Sequence, residues 1–269
     1  MMSASGNNKN VIVFGETGSG KSSLVNLLLR QDEAKVSDKA VGCTFNFKKY
    51  ETPHFNLYDT VGLSEGREGT LKQSQAIKQL VRLLKSLEEG VSLLVFVIEK
   101  GRIKKSMENN YRLFIEGICM KKVPVVLGIT HCEMENERGQ WWNENKEHFD
   151  KYGMTFDDVV SGTALRPTSA PRIMQPVIQA MNRTTAHELS QAINLHLLAK
   201  AWKFEGGWMD WFSAILQGLA AIFLKLWGYK TANFAESTME QRLFQYFQSH
   251  GLTVAESIAM AKEIVHEIA

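Results

Sequence analysis

The chain has little that would staple, break or address it. Among its 269 residues are only three cysteines and five prolines. Cys43, Cys119 and Cys132 are scattered, with no C-x-x-C spacing, which argues against a disulfide frame or a zinc module and for a reducing compartment. An excess of one charge is also missing. The 31 Lys and Arg against 29 Asp and Glu leave a formal net charge of +2, so no basic footprint points to a nucleic-acid partner. Residues 1–10 lack the apolar core of a signal peptide, the arginine-rich face of a transit peptide and a glycine after the initiator for myristoylation. The expectation is a cytoplasmic chain. No internal repeat or low-complexity tract is visible. With 44% hydrophobic residues, the chain suffices for one sizeable core and an appended unit.

What is present is one dense motif, Gly15-Glu16-Thr17-Gly18-Ser19-Gly20-Lys21-Ser22. It follows the apolar run Val11–Phe14 and precedes a helical pattern beginning at Ser23. This is G-x-x-x-x-G-K-[ST] in the strand–loop–helix setting it requires. The glycines let successive N–H groups converge on phosphate oxygens, and the following helix adds partial positive charge. Lys21 is placed to reach the β/γ-phosphates, and Ser22 to ligate Mg²⁺. The competing reading is a glycine-rich turn before a capped helix.

The rest of the chain alternates strand and helix patterns. Thr44–Tyr50 and His54–Tyr58 alternate around Pro53 and predict a hairpin. Gln31–Val41 reads as a polar connection. Val91–Ile98 and Val123–Ile129 are continuous apolar runs of the kind buried in parallel sheets. Helical spacing is found at Ile77–Leu87, Ser106–Cys119, Arg138–Tyr152 and Pro171–Met181, and Asp158–Ser161 is a short strand. The pattern predicts an α/β phosphate-loop NTPase fold, a Ras-like domain with a mostly parallel sheet, over 10–185. A flexible terminus precedes it over 1–9, and a helical region follows over 186–269.

Three further stretches refine the phosphate site. Asp59-Thr60-Val61-Gly62 ends a strand, so Asp59 is placed to hold a Mg²⁺ water beside Ser22 and the Gly62 N–H to meet a γ-phosphate. Thr44, in Gly42-Cys43-Thr44, is placed to ligate Mg²⁺ and sense that phosphate; with Lys21 it makes the expected catalytic pair. At the end of the Val123 strand lies Thr130-His131-Cys132-Glu133. Strand ends of parallel sheets are where ligands bind. A carboxylate at Glu133 accepts the ring N–H and amino group of guanine, whereas adenine has no ring N1–H; His131 is placed to pack on the base. Ser161-Gly162 follows the last strand and offers backbone to the guanine oxygen. Each has a plain alternative: an Asp-Gly turn, a β-branched residue opening a strand, a solvated Glu, an ordinary turn. The expected ligands are GTP/GDP and Mg²⁺, held by Gly15 to Ser22, Ser23, Gly62, Thr130, His131, Glu133, Ser161 and Gly162, with Ser22, Thr44 and Asp59 on the metal.

The order of these motifs resembles a translation-factor-class GTPase. Thr-His-x-Glu at the base site with Gly-Cys-Thr before the hairpin is similar to the septin, chloroplast-import-receptor and immunity-associated branch, in particular to small fungal G-domain proteins. The resemblance covers 10–185. It implies the binding roles above and pairing of two copies across the nucleotide face. One departure matters. Ras-like proteins carry a water-orienting glutamine after Asp-x-x-Gly, and here that position is Leu63. The resemblance then implies slow hydrolysis unless a partner supplies the missing group. Arg67, on the charged Glu65–Gly69 loop, reads as a solvated arginine before it reads as an arginine finger.

In the tail, residues 208–227 are apolar all round, without charge between Asp210 and Lys225 and with tryptophans at both ends. The uncharged part is shorter than the ~20 residues of a span. A buried or oligomer-forming helix and a membrane-surface contact both stay open. Thr253-Val254-Ala255-Glu256 is a capping box for a last helix. The leading reading is a GTP-binding switch with an unidentified effector. The rivals are an ATP-using phosphate-loop enzyme, for which no arginine-rich lid is found, and a membrane scaffold whose assembly nucleotide controls.

Overall fold

The computed structural model describes residues 9–16, 18–31, 35–36, 47–60, 83, 87, 89–203, 253–255, 257–259 and 262. Seven strands form one sheet: β1 Asn10–Gly15, β2 Lys35–Val36, β3 Phe47–Glu51, β4 Asn56–Thr60, β5 Leu93–Glu99, β6 Val125–Thr130 and β7 Asp158–Ser161. Their order is β2-β3-β4-β1-β5-β6-β7. From β4 through β7 the neighbours are parallel, while β2–β3 and β3–β4 are antiparallel. The helices are α1 Lys21–Gln31, α2 Lys105–Tyr111, α3 Gln140–Lys151 and α4 Gln175–His196. This is the phosphate-loop G-domain architecture, a mostly parallel sheet with helices.

Strand alternation builds two cores, one on each face. Val11 and Val13 of β1 join Val95 and Val97 of β5 against Leu24, Val25 and Leu28 of α1 and Leu189 and Ile193 of α4. Ile12 and Phe14 turn the other way, with Phe96 and Leu127, onto Tyr111, Phe114 and Phe149. Phe14 stacks on Phe96 at 4.8 Å and on Phe114 at 4.3 Å between centroids.

Several elements differ from their sequence patterns. The connection after α1 contains β2, which pairs Lys35 with Glu51 and Val36 with Tyr50. The predicted Ser106–Cys119 helix is α-helical only to Tyr111 and continues as a π-helix over Arg112–Ile118. It closes with Cys119 N–H donating to Phe114 C=O at 3.0 Å. The Pro171–Met181 pattern resolves into a 3-10 turn at Arg172–Met174 and then α4, which runs unbroken to His196. Residue 185 therefore falls inside a helix. Beyond it, Ala186, Leu189, Ala192 and Ile193 are buried in the same molecule. The chain then returns to the foot of the sheet. Trp202 bridges Val91 through paired backbone bonds of 2.8 and 2.9 Å. Gly90 (φ 91°) admits this approach, because a Cβ there would strike the Trp202 carbonyl.

Residues 254, 255, 257–259 and 262 are helical after Thr253, whose C=O accepts from Ser257 N–H at 2.9 Å. Thr17, Thr44, Gly62, Leu63, the 64–69 loop and 208–227 lie outside the described residues. Among the described residues no helix is long and apolar enough to cross a membrane.

Candidate functional site

The C-terminal ends of β1, β4, β5 and β6 converge on the phosphate loop. Gly15 (φ 147°) closes β1 against β5, where any Cβ would run into the Val97 carbonyl. Gly20 (φ 87°) sits over Thr130, whose Cγ2 would lie 3.0 Å from a Cβ. Both therefore require glycine, and the loop is pressed onto β5 and β6. Leu24 N–H donates to Gly20 C=O at 2.9 Å, opening α1 with its first N–H groups toward the loop. Lys21 is buried, and its Nζ donates to the carbonyls of Gly15 (2.9 Å) and Glu16 (2.6 Å). The ammonium is thus held across the mouth of the loop.

At the metal end, Ser22 Oγ donates to Asp59 Oδ2 at 2.8 Å. Asp59 is 1% exposed, and its other oxygen, Oδ1, is buried without a hydrogen-bond partner. Burial pushes its pKa up, while the Ser22 hydrogen bond, Lys21 and Lys48 pull it down. An exposed serine hydroxyl beside a carboxylate with one bare oxygen is a hard oxygen pair that suits Mg²⁺, which takes one or two protein oxygens and keeps waters and phosphates.

At the other end, Thr130 Oγ1 lies 2.8 Å from Ser19 C=O and 3.0 Å from His131 Nδ1. The sequence places Thr130 on the ligand; here its hydroxyl ties the β6 end to the phosphate loop. His131 has φ 63° and is exposed. Glu133 is partly buried, with Oε2 shielded and unpartnered. Cys132 N–H donates to Gly162 C=O at 3.1 Å and Gly162 N–H to Ile129 C=O at 2.8 Å, so the 130–133 and 161–163 turns are stitched together. Ser161 is buried. Ser23, the third residue of α1, lines a groove of about 360 Å³ with Leu27, Ala164, Leu165, Arg166 and Asn182.

Three contributors escape the sequence reading. Lys104, in the turn before α2, pairs with the Glu16 carboxylate at 3.3 Å. Thr60 Oγ1 donates to Val13 C=O at 2.8 Å and fixes β4 beside the loop strand. Thr185 Oγ1 accepts from Thr163 N–H at 3.2 Å and backs the second turn. Thr60 lies within the Asp59–Gly62 motif, and Lys104 in the basic run Lys100, Arg102, Lys104, Lys105 directly after a buried strand, but neither contact is written in the local pattern.

A family model described as 50S ribosome-binding GTPase matches residues 10–131. Immune-associated nucleotide-binding protein 10 of Arabidopsis thaliana is 31% identical over 107 residues, which are 38% of this chain and 22% of the relative. Rab-like protein 3 of Xenopus laevis is 28% identical over 136 residues, 48% of this chain and 54% of the relative. The chain thus spans from about a fifth to about half of the relatives' lengths. A crystal structure of Aquifex aeolicus Era bound to GDP·AlF4⁻ superposes with a TM-score of 0.47 at 18% identity, covering 72% of this chain and 58% of that one.

Proposed function

Because residues 10–131 match a family model described as 50S ribosome-binding GTPase, we propose that this protein is a GTPase of that family, a Mg²⁺-dependent guanine-nucleotide switch that hydrolyses GTP slowly until a partner assists. The observation that carries the reading is a pair of buried, unpartnered carboxylate oxygens at the two ends of one phosphate loop, Asp59 Oδ1 and Glu133 Oε2. A buried acceptor without a donor costs free energy until a ligand satisfies it. A nucleotide with its metal does so at both ends at once.

The roles follow from chemistry. The loop N–H groups and Lys21 bind phosphate oxygens and offset charge that develops during phosphoryl transfer. Ser22 and Asp59 hold Mg²⁺, which when bound neutralises β/γ-phosphate charge. Glu133 accepts the guanine ring N–H and amino group, and His131 covers the base. Thr44 and Gly62 take the γ-phosphate-sensing positions and present a changed surface to an effector. Leu63 offers no group to orient water, which is why hydrolysis is slow. Likeness to an immune-associated nucleotide-binding relative supports the immunity-associated part of the resemblance; pairing of two copies across the nucleotide face is part of the proposal. Residues 208–227 are proposed as the contact with a membrane surface, tested by liposome flotation with and without that segment.

The decisive test is competition between GTP and ATP for the purified protein, repeated with Glu133→Ala. GTP preference in the wild type that collapses in Glu133→Ala is expected. ATP retention indifferent to the substitution overturns the guanine reading.

A further inference from the structure

The phosphate loop contains a residue whose charge is wrong for its task. Glu16 sits second in a loop built to receive anions, and its side chain is only 16% exposed. A carboxylate there would repel the phosphate oxygens that such a loop receives, in a setting less screened than bulk water. Among its contacts is Lys104 Nζ, 3.3 Å from Oε2. The same residue is engaged at its backbone, where the Glu16 C=O accepts from Lys21 Nζ at 2.6 Å. The Lys104 backbone is tied to α2, since its C=O accepts from Glu108 N–H at 3.2 Å as that helix begins.

We infer that Lys104 is a positioning residue for nucleoside di- and triphosphates: it neutralises Glu16 and ties the first turn of the phosphate loop to the start of α2. The inference rests on the phosphate loop being a nucleotide site. Two effects follow from the one contact. The carboxylate is kept from the incoming phosphates, and the Gly15–Glu16 carbonyls that hold Lys21 are kept in place. A surface pair far from any ligand is worth little. Here the ligand carries several negative charges, so the loss of Lys104 is felt at the ligand more than in the fold. Lys104 is 57% exposed, and its replacement leaves the core untouched.

The test is a double-mutant cycle on the full chain, with GDP and Mg²⁺ as the probe and equilibrium affinity and dissociation rate as the readouts. Lys104→Ala is expected to weaken GDP roughly five- to tenfold, mostly through faster dissociation, and Lys104→Arg to stay within about twofold of wild type. Glu16→Gln is expected to tighten GDP about twofold, and Glu16→Gln with Lys104→Ala to regain most of the lost affinity. The Lys104→Ala defect should shrink as salt rises from about 0.1 M to about 1 M. A double variant as weak as Lys104→Ala, or a Lys104→Ala protein with normal affinity, overturns the inference alone. Wild-type protein that binds no GDP overturns the nucleotide reading and this inference with it.

Discussion

Asp59 is held with one oxygen bonded to Ser22 and the other bare. Burial is the largest influence on it and raises its pKa. A carboxyl with a raised folded-state pKa stabilises the fold when protonated; that contribution is complete below the unfolded value of about 3.9 and is lost as pH rises through the folded value. Where it is ionised and no metal is bound, Asp59 therefore works against the fold. Asp59→Asn is expected to raise stability by roughly 1 kcal/mol in chelator, read by thermal unfolding, while Mg²⁺-dependent nucleotide retention is lost. A variant that is both less stable and still retains nucleotide with Mg²⁺ contradicts this. The buried thiols follow the same physics. Burial, then Glu135, pushes Cys132 up to about 12, and burial alone raises Cys119. Peptide mapping after maleimide treatment at about pH 8 should find both unlabelled in native protein and labelled in denaturant.

At the scale of elements, α4 is the firmest commitment. Ile193 is fully buried in the core shared with α1 and β5, so Ile193→Ala should cost about 3 kcal/mol in urea unfolding with little change in slope. The sequence divides this helix because Asn182, Arg183, Thr184 and Thr185 interrupt the apolar spacing. Two of those polar residues are buried with tertiary or back-bonded partners: Asn182 Nδ2 donates to Leu165 C=O and Thr185 Oγ1 to Met181 C=O. The Leu165 partner is invisible to local pattern, as is the Thr163 N–H from which Thr185 Oγ1 also accepts. The π stretch is hidden for a related reason, since Tyr111, Phe114 and Ile115 suit either winding and a stacking partner 100 residues away lies outside any local window. By contrast β1, β5 and β6 are plain in their apolar runs, and the β3–β4 hairpin is offset by only a few residues from its alternation. Of the candidate site, Lys21, Ser22, Asp59 and Glu133 are nameable from the sequence because each sits in a short motif next to a strand end. Lys104 and the tie from Thr130 to Ser19 are not, because they join distant parts of the chain.

For the molecule as a whole, the packed unit extends past the 185 boundary to the Val91–Trp202 bridge. A chain ending at 203 should unfold cooperatively by calorimetry. One ending at 185 removes Ala186, Leu189, Ala192 and Ile193 from the core and should show no cooperative transition or a Tm lower by more than about 10 °C. Equal transitions for the two would mean that the last turns of α4 are dispensable.

The same bridge sets where later residues depart. Val91 and Trp202 meet at the start of β5, whereas Val97 near its other end lies beside Gly15. Val97 lies six positions along the chain from Val91, about 20 Å at the usual rise of extended backbone. Immobilising the protein on a sensor chip through a handle attached after residue 203 therefore presents the nucleotide mouth to the flowing buffer rather than to the matrix.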